Sequence, residues 1–204
     1  MARIGISINE VLRDTLSQMD YTYSKYITGK DTTITRDEIT SFNLEQHFVF
    51  DSKKDLNRFL YDEASLEIFG HADQMVENLM TKFNMFLVDI EEEEEEHTIE
   101  IVSREFLRSI PSTLFFLSKL GCRASNIRFV KQHDEEWGDL DVLITANPEA
   151  LKNKPKDKIS VKIKAPYNSD VVGDFELDSI LDFILDNALR DKILNTKITT
   201  QEQL

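Results

Sequence analysis

From Arg3 to Ile8 every second residue is isoleucine, with Ile4, Ile6 and Ile8 on one face, which predicts a short buried strand. A helix is expected from about Val11 to Ile27. Thr28 to Thr40 is polar and threonine-rich and reads as an exposed excursion. From Phe42 to Asp89 the apolar spacing is mostly helical. Ser52 is placed to cap a helix carrying Leu56, Phe59 and Leu60 on one side. Asp73 to Asp89 sets Met75, Leu79, Phe83, Phe86 and Leu87 at helical intervals.

The run Glu91 to Glu96 then opposes the helix macrodipole, so the helix is expected to end there in a solvated acidic turn. Consecutive glutamates point in divergent directions and make a poor metal cage.

Thr98 to Ser103 reads as the next strand. Ser109 ahead of Ile110-Pro111 looks like an N-cap, and Gly121 like the residue that closes that helix. Further strands are expected at Ile127–Val130, Asp141–Thr145 and Ile159–Ile163, with Pro148 and Pro155 as punctuation. One long helix is expected from about Glu176 to Leu194, and the polar tail after Asn195 has no core of its own. Strands alternating with helices imply a parallel sheet covered on both faces. The long helical stretch between the first two strands reads as an insertion over the sheet's C-terminal edge, where open α/β sheets bind ligands.

Composition narrows the classes. The chain has 204 residues, is 41% hydrophobic and carries a net charge of −14. That suits one α/β domain with a modest insertion. An acidic surface disfavours direct contact with nucleic acid or anionic membrane. No apolar run approaches the ~20 residues of a membrane span, and the N-terminus lacks the apolar stretch of a signal peptide, so a soluble protein is expected. Cys122 is the one cysteine, which excludes an intrachain disulfide and fits a reducing cytoplasm.

Ile4-Gly5-Ile6-Ser7-Ile8-Asn9-Glu10-Val11-Leu12, Ile99 to Ser103, Ser112, and Asp141 to Pro148 together resemble the four motifs of the haloacid-dehalogenase (HAD) superfamily, in order and spacing. Within it the chain resembles the 5′(3′)-deoxyribonucleotidase-like branch, whose helical cap follows the first strand. The resemblance implies a HAD-like Rossmannoid α/β fold, with a core domain of residues 1–27 and 98–204 and a cap of residues 28–97. Phe42 to His71 and Ser109 to Pro148 also resemble HAD-like proteins of the virion genes of crAss-like bacteriophages.

Against that family pattern, neutral residues replace charged ones. Ser7 stands where the family has its nucleophilic aspartate, Asn9 where a second aspartate shuttles a proton, and Ser112 where a lysine steadies phosphate. Thr145 and Ala146 replace the acids that help hold magnesium, while Ser103 still fits its motif. Glu10 replaces a usually small residue and could enter the pocket. Asp141 lies about 13 Å away along the strand. The four histidines show no paired spacing, so no base for Ser7 can be named, and a lost shuttle alone is worth ~10²–10⁴ in rate. Ser7, Asn9, Glu10, Ser103, Ser112, Thr145 and Ala146 are therefore expected to form a vestigial pocket with no catalytic residue, metal or cofactor.

The sequence-level expectation is thus a chain that is not an enzyme. It would act in structure or assembly, as a phage virion, tail-ring or connector component, with other protein subunits as partners in a homo- or hetero-oligomer. Its place would be the virion, or otherwise the cytoplasm. Two alternatives stand beside it: a non-catalytic nucleotide- or phosphate-binding regulator, in which Ser7, Asn9, Ser103 and Ser112 hydrogen-bond a phosphate, and a HAD-type phosphatase with altered chemistry using Ser7 or Glu10.

Overall fold

In the computed structural model, which describes residues 2–28, 34–92 and 97–196, β1 (Arg3–Ser7) lies in the middle of a six-stranded sheet. The other strands are β2 (Thr98–Arg104), β3 (Ile127–Val130), β4 (Val142–Thr145), β5 (Ile159–Ile163) and β6 (Phe175–Leu177), in the order β3-β2-β1-β4-β5-β6. All neighbours are parallel. The chain leaves β1 towards β2 and β3, then crosses back to place β4 on the other side of β1. That reversal opens a crevice beyond the C-terminal ends of β1 and β4.

The period-2 pattern sorts the two faces. Ile4 and Ile6, in register with Val142 and Ile144 on one side and with Ile99 and Ile101 on the other, point into the larger core. There they meet Phe83 and Phe86 of α3 (Leu79–Glu92), Phe116 of α4 (Ser109–Lys119) and Phe183 of α6 (Ile180–Leu185). All four rings are at most 1% exposed, and each buried side chain stabilises the fold by roughly 1.5–3 kcal/mol. The opposite face is smaller: Val102 and Leu143 pack with Val130, Trp137, Leu140 and Ala150. The indole of Trp137 donates to the Ala150 carbonyl of α5 (Pro148–Lys152) at 2.8 Å. Between β1 and β2 lie α1 (Thr15–Tyr23), α2 (Lys53–Arg58) and α3, joined by short 3-10 and π-helical turns, and their apolar residues belong to the larger core.

Several boundaries differ from the sequence expectation, for local reasons. The first helix begins at Thr15 and not Val11, because the Ile8 carbonyl accepts from the amides of Val11, Leu12 and Arg13 in a tight turn. Glu10 enters that turn at φ +60°, and Asp14 then caps α1 by accepting from Ser17 N. The helix expected from Asp73 starts only at Leu79, after Asn78 at φ +60°. Ser109 lies inside the first turn of α4 and not ahead of it; its hydroxyl closes a loop back on Phe106. The long C-terminal helix is three elements: β6, α6 and α7 (Asn187–Leu194). Ser179 caps α6, and Asp186 both ends it and caps α7. Gly121, at φ +67°, closes α4 as expected. Most of the acidic run, residues 93–96, lies outside the described residues, as do residues 29–33 of the polar excursion and the tail from residue 197. No described helix is long and apolar enough to cross a membrane.

Candidate functional site

A cavity of about 740 Å3 lies over the crevice. Its floor is formed by the ends of β1, β2 and β4, and its roof by residues 40–45 and by Leu56, Leu60 and Tyr61. Ser7, the last residue of β1, sits on the floor and is 7% exposed. Its Oγ lies 2.9 Å from Thr145 Oγ1 at the end of β4, and it donates to Glu136 Oε2 at 3.3 Å.

Glu136 comes from a 3-10 turn (Asp134–Glu136) between β3 and β4 and is 3% exposed. Asn147 holds it in place. The Asn147 Oδ1 caps α5 by accepting from Glu149 N at 3.0 Å, while its Nδ2 donates to Glu136 Oε1 at 2.5 Å. The same Nδ2 lies 2.8 Å from His133 Nδ1, which is itself 3.8 Å from Glu136 Oε1. The Asn147 backbone amide donates to Thr145 Oγ1 at 3.1 Å. Thr145 thus keeps its own hydrogen for Ser7 whenever Ser7 points its hydrogen at Glu136. A carboxylate oxygen that accepts from a serine hydroxyl in so buried a corner is placed where it could take that proton.

A second network lies under the floor. Arg13 is wholly buried; its Nη2 donates to Glu105 Oε1 and to Asn9 Oδ1, both at 2.5 Å. Nη1 donates to Thr113 Oγ1 at 2.6 Å and to the Phe69 carbonyl at 3.0 Å, and Nε to Thr15 Oγ1 at 3.2 Å. Glu105 also receives the hydroxyls of Ser103 and Thr113. The rings of Phe69 and Phe116 flank the guanidinium at 4.9 and 5.3 Å. Burial pulls the Arg13 pKa down, and the Glu105 charge pushes it back up.

The seven residues singled out in the sequence divide accordingly. Ser7, Asn9, Glu10, Ser103 and Thr145 share the cavity wall. Asn9 and Ser103 are committed to the Arg13–Glu105 unit beneath it. Glu10 accepts from Leu16 N at 2.9 Å and from Arg36 Nε at 3.0 Å, and burial raises its carboxyl pKa against the opposing pull of Arg36. Ser112 is buried in α4, donating to the Arg108 carbonyl at 2.8 Å, and is not part of the wall. Ala146 is buried, and its carbonyl accepts from Asn168.

Sequence reasoning missed Glu136, Asn147, His133, Arg13 and Glu105. Asn147 ahead of Pro148 carried a readable N-cap signal; the others carried none. No carboxylate was expected beside Ser7 from its neighbours in sequence; the structure places Glu136 there, 3.3 Å from its hydroxyl.

The magnesium ion implied by the HAD resemblance does not fit this donor set. Ser7 and Thr145 are neutral, and Asn9 Oδ1 already accepts from Arg13 and from Thr15. Both Glu136 oxygens are engaged, and Mg2+ needs anionic oxygen in near-octahedral array. Among the described residues no group of three or more His, Cys, Asp or Glu is arranged to hold a metal.

No protein-family model matches the sequence, and no curated protein matches it. Solved structures do. A haloacid dehalogenase-like hydrolase from Burkholderia xenovorans LB400 superposes with a TM-score of 0.57 at 10% identity, over 92% of this chain and 96% of that one. A dehalogenase in an intermediate complex superposes at 0.50 with 12% identity, over 90% and 95%. The expectation that the chain is not an enzyme is overturned by these neighbours, a hydrolase and a dehalogenase built on the same sheet. At such identities the likeness concerns architecture: the chain has the fold of the haloacid-dehalogenase-like hydrolases.

Proposed function

We propose that the chain is a hydrolase of altered chemistry, in which the Ser7 hydroxyl attacks a small neutral ester and Glu136 serves as its base. The observation that carries this reading is the hydrogen bond from Ser7 Oγ to the buried Glu136 carboxylate. Ser7 Oγ bonds to the acyl carbon as its proton passes to Glu136 Oε2. The ester C–O bond breaks, and the departing alcohol takes that proton. Water then gives a proton to the same carboxylate, its oxygen bonds to the acyl carbon, and Ser7 Oγ leaves with the proton. General base assistance of this kind is worth ~10²–10⁴ in rate.

Charge supports a neutral substrate. The Arg13 cation is spent on Glu105, and the cavity wall sets Glu10, Glu45, Glu136, Glu149 and Asp170 against Lys53, Arg104 and Lys152. A phosphate dianion entering beside Glu136 would meet repulsion without a metal to offset it. The cavity volume suits a compact small molecule.

The test is labelling of the full chain with a fluorophosphonate, alongside turnover of nitrophenyl acyl esters and of nitrophenyl phosphate. The expected result is a single adduct on Ser7 by peptide mass spectrometry, absent in Ser7→Ala, with acyl esters turned over in preference to the phosphate. Ester turnover that survives Ser7→Ala, or a preference for the phosphate, would overturn it.

A further inference from the structure

We infer that Arg13 is the resident cation of this site: its guanidinium holds the crest of the sheet together in place of a divalent metal ion, which makes the site indifferent to such ions. The inference is independent of whether Ser7 is a nucleophile.

Position is the first argument. Arg13 lies in the connection that follows β1, Glu105 follows β2 directly, and both lie at the sheet end where the crevice opens. The guanidinium sits behind Asn9, bonded to that residue's side-chain oxygen. An acceptor from the β1 connection and a carboxylate from the β2 connection thus converge on one positive charge.

Saturation is the second. The guanidinium gives hydrogen bonds to Asn9, Thr15, the Phe69 carbonyl, Thr113 and Glu105. Glu105 in turn accepts from Arg13, Ser103 and Thr113. Such a planar fork, rigid and permanently charged, suits a fixed structural role. The unit joins the connections after β1 and β2 to Thr113 of α4 and to the Phe69 backbone, so it ties together segments remote in sequence. It also turns the Asn9 and Ser103 side chains towards itself, leaving Ser7 to pair with Thr145 and Glu136.

Exclusion is the third. A divalent ion placed against Asn9 Oδ1 would stand within a few ångströms of the guanidinium, in a poorly solvated place where like charges repel strongly. Asn9 Oδ1 and the Glu105 carboxylate, the side-chain acceptors beside the guanidinium, are already taken.

The test is thermal unfolding of the full chain in EDTA and in magnesium or manganese chloride, for the native sequence and for Arg13→Lys, Arg13→Gln and the double variant Arg13→Gln/Glu105→Gln. The native midpoint is expected to be the same in all three solutions. Arg13→Gln leaves Glu105 buried without a cation and is expected to lower the midpoint by on the order of 10 °C, with part of that loss restored by the metal salts. Arg13→Lys keeps a charge and is expected to stay unresponsive to metal. The double variant removes both charges, regains most of the loss and does not respond either. A native midpoint that rises saturably with magnesium or manganese overturns the inference, as does an equal drop for Arg13→Lys and Arg13→Gln. Should Arg13→Gln fail to fold, the native titration and the double variant still decide.

Discussion

The Ser7 hydroxyl meets the Glu136 carboxylate at 3.3 Å, although 129 positions separate them in the chain. Proximity of this kind has a kinetic signature. If Glu136 takes the Ser7 proton, Glu136→Gln retains the shape and removes the base. Turnover of the acyl ester is expected to fall ~10²–10⁴-fold with KM little changed. Steady-state kinetics checks it, and an unchanged kcat would remove Glu136 from the reaction.

Asn147 joins the cap of α5 to the Glu136 carboxylate. Asparagine and aspartate both cap helices well. Asn147→Asp therefore keeps α5 capped but exchanges the donor to Glu136 for a second anion. The expected outcome is an unfolding midpoint that falls as the two carboxyls ionise, with the acid limb of the pH–rate profile moved upward, because a neighbouring negative charge raises a carboxyl pKa. Asn147→Ala is expected to lose ~1 kcal/mol of stability as well. A pH profile of Asn147→Asp that matches the native one would count against Asn147 as the positioning residue of Glu136.

Glu10 gives a dependence of stability on pH. Burial is the largest influence on its carboxyl and raises the pKa above the ordinary 4.5, against the opposing charge of Arg36. The folded state therefore holds the proton more tightly than the unfolded chain does. Stability from this group is present below the unfolded value and is lost as pH rises through the folded value. Relative to Glu10→Gln, the native chain is expected to lose stability as pH rises from near 4.5, levelling off once the folded-state carboxyl is ionised. Chemical denaturation across that range measures it, and parallel curves for the two chains would refute it.

Gly5 of β1 packs directly against Leu140. A Cβ added there would lie 2.2 Å from Leu140 Cδ1. Gly5→Ala is expected to destabilise by roughly 1–3 kcal/mol through overpacking. Leu140→Ala opens space at the same spot, so the double variant is expected to lose less than the sum of the two single losses. Denaturant unfolding of the four chains closes the cycle; strict additivity would contradict the contact.

How far these features could be read from sequence follows from their range. Ile4, Ile6 and Ile8 alternate within six residues, and the run from Val142 to Thr145 is short, apolar and bounded, so the parallel sheet was legible. β6 was not. Leu177 also satisfies the helical spacing of the residues after it, and only the pairing of Phe175 and Leu177 with Val161 and Ile163 decides the matter. Ser7, Asn9 and Thr145 were legible because they stand at or just beyond strand ends. Glu136 was hidden in an acidic turn, where a solvated role is the ordinary expectation, and nothing local announces that its side chain turns inward. Arg13 looked like a helix residue; its burial depends on Glu105 and Thr113, each supplied by a distant segment.

The order of the sheet also bears on how the molecule is made. β1 takes β2 on one edge, but its other edge waits for β4, whose Thr145 partners Ser7 across 138 positions. A ribosome must therefore deliver most of the polypeptide while one side of a strongly apolar strand stands unpaired, a slow and association-prone interval for any all-parallel topology. The crevice, and whatever chemistry it hosts, comes into being only when that last central partner arrives.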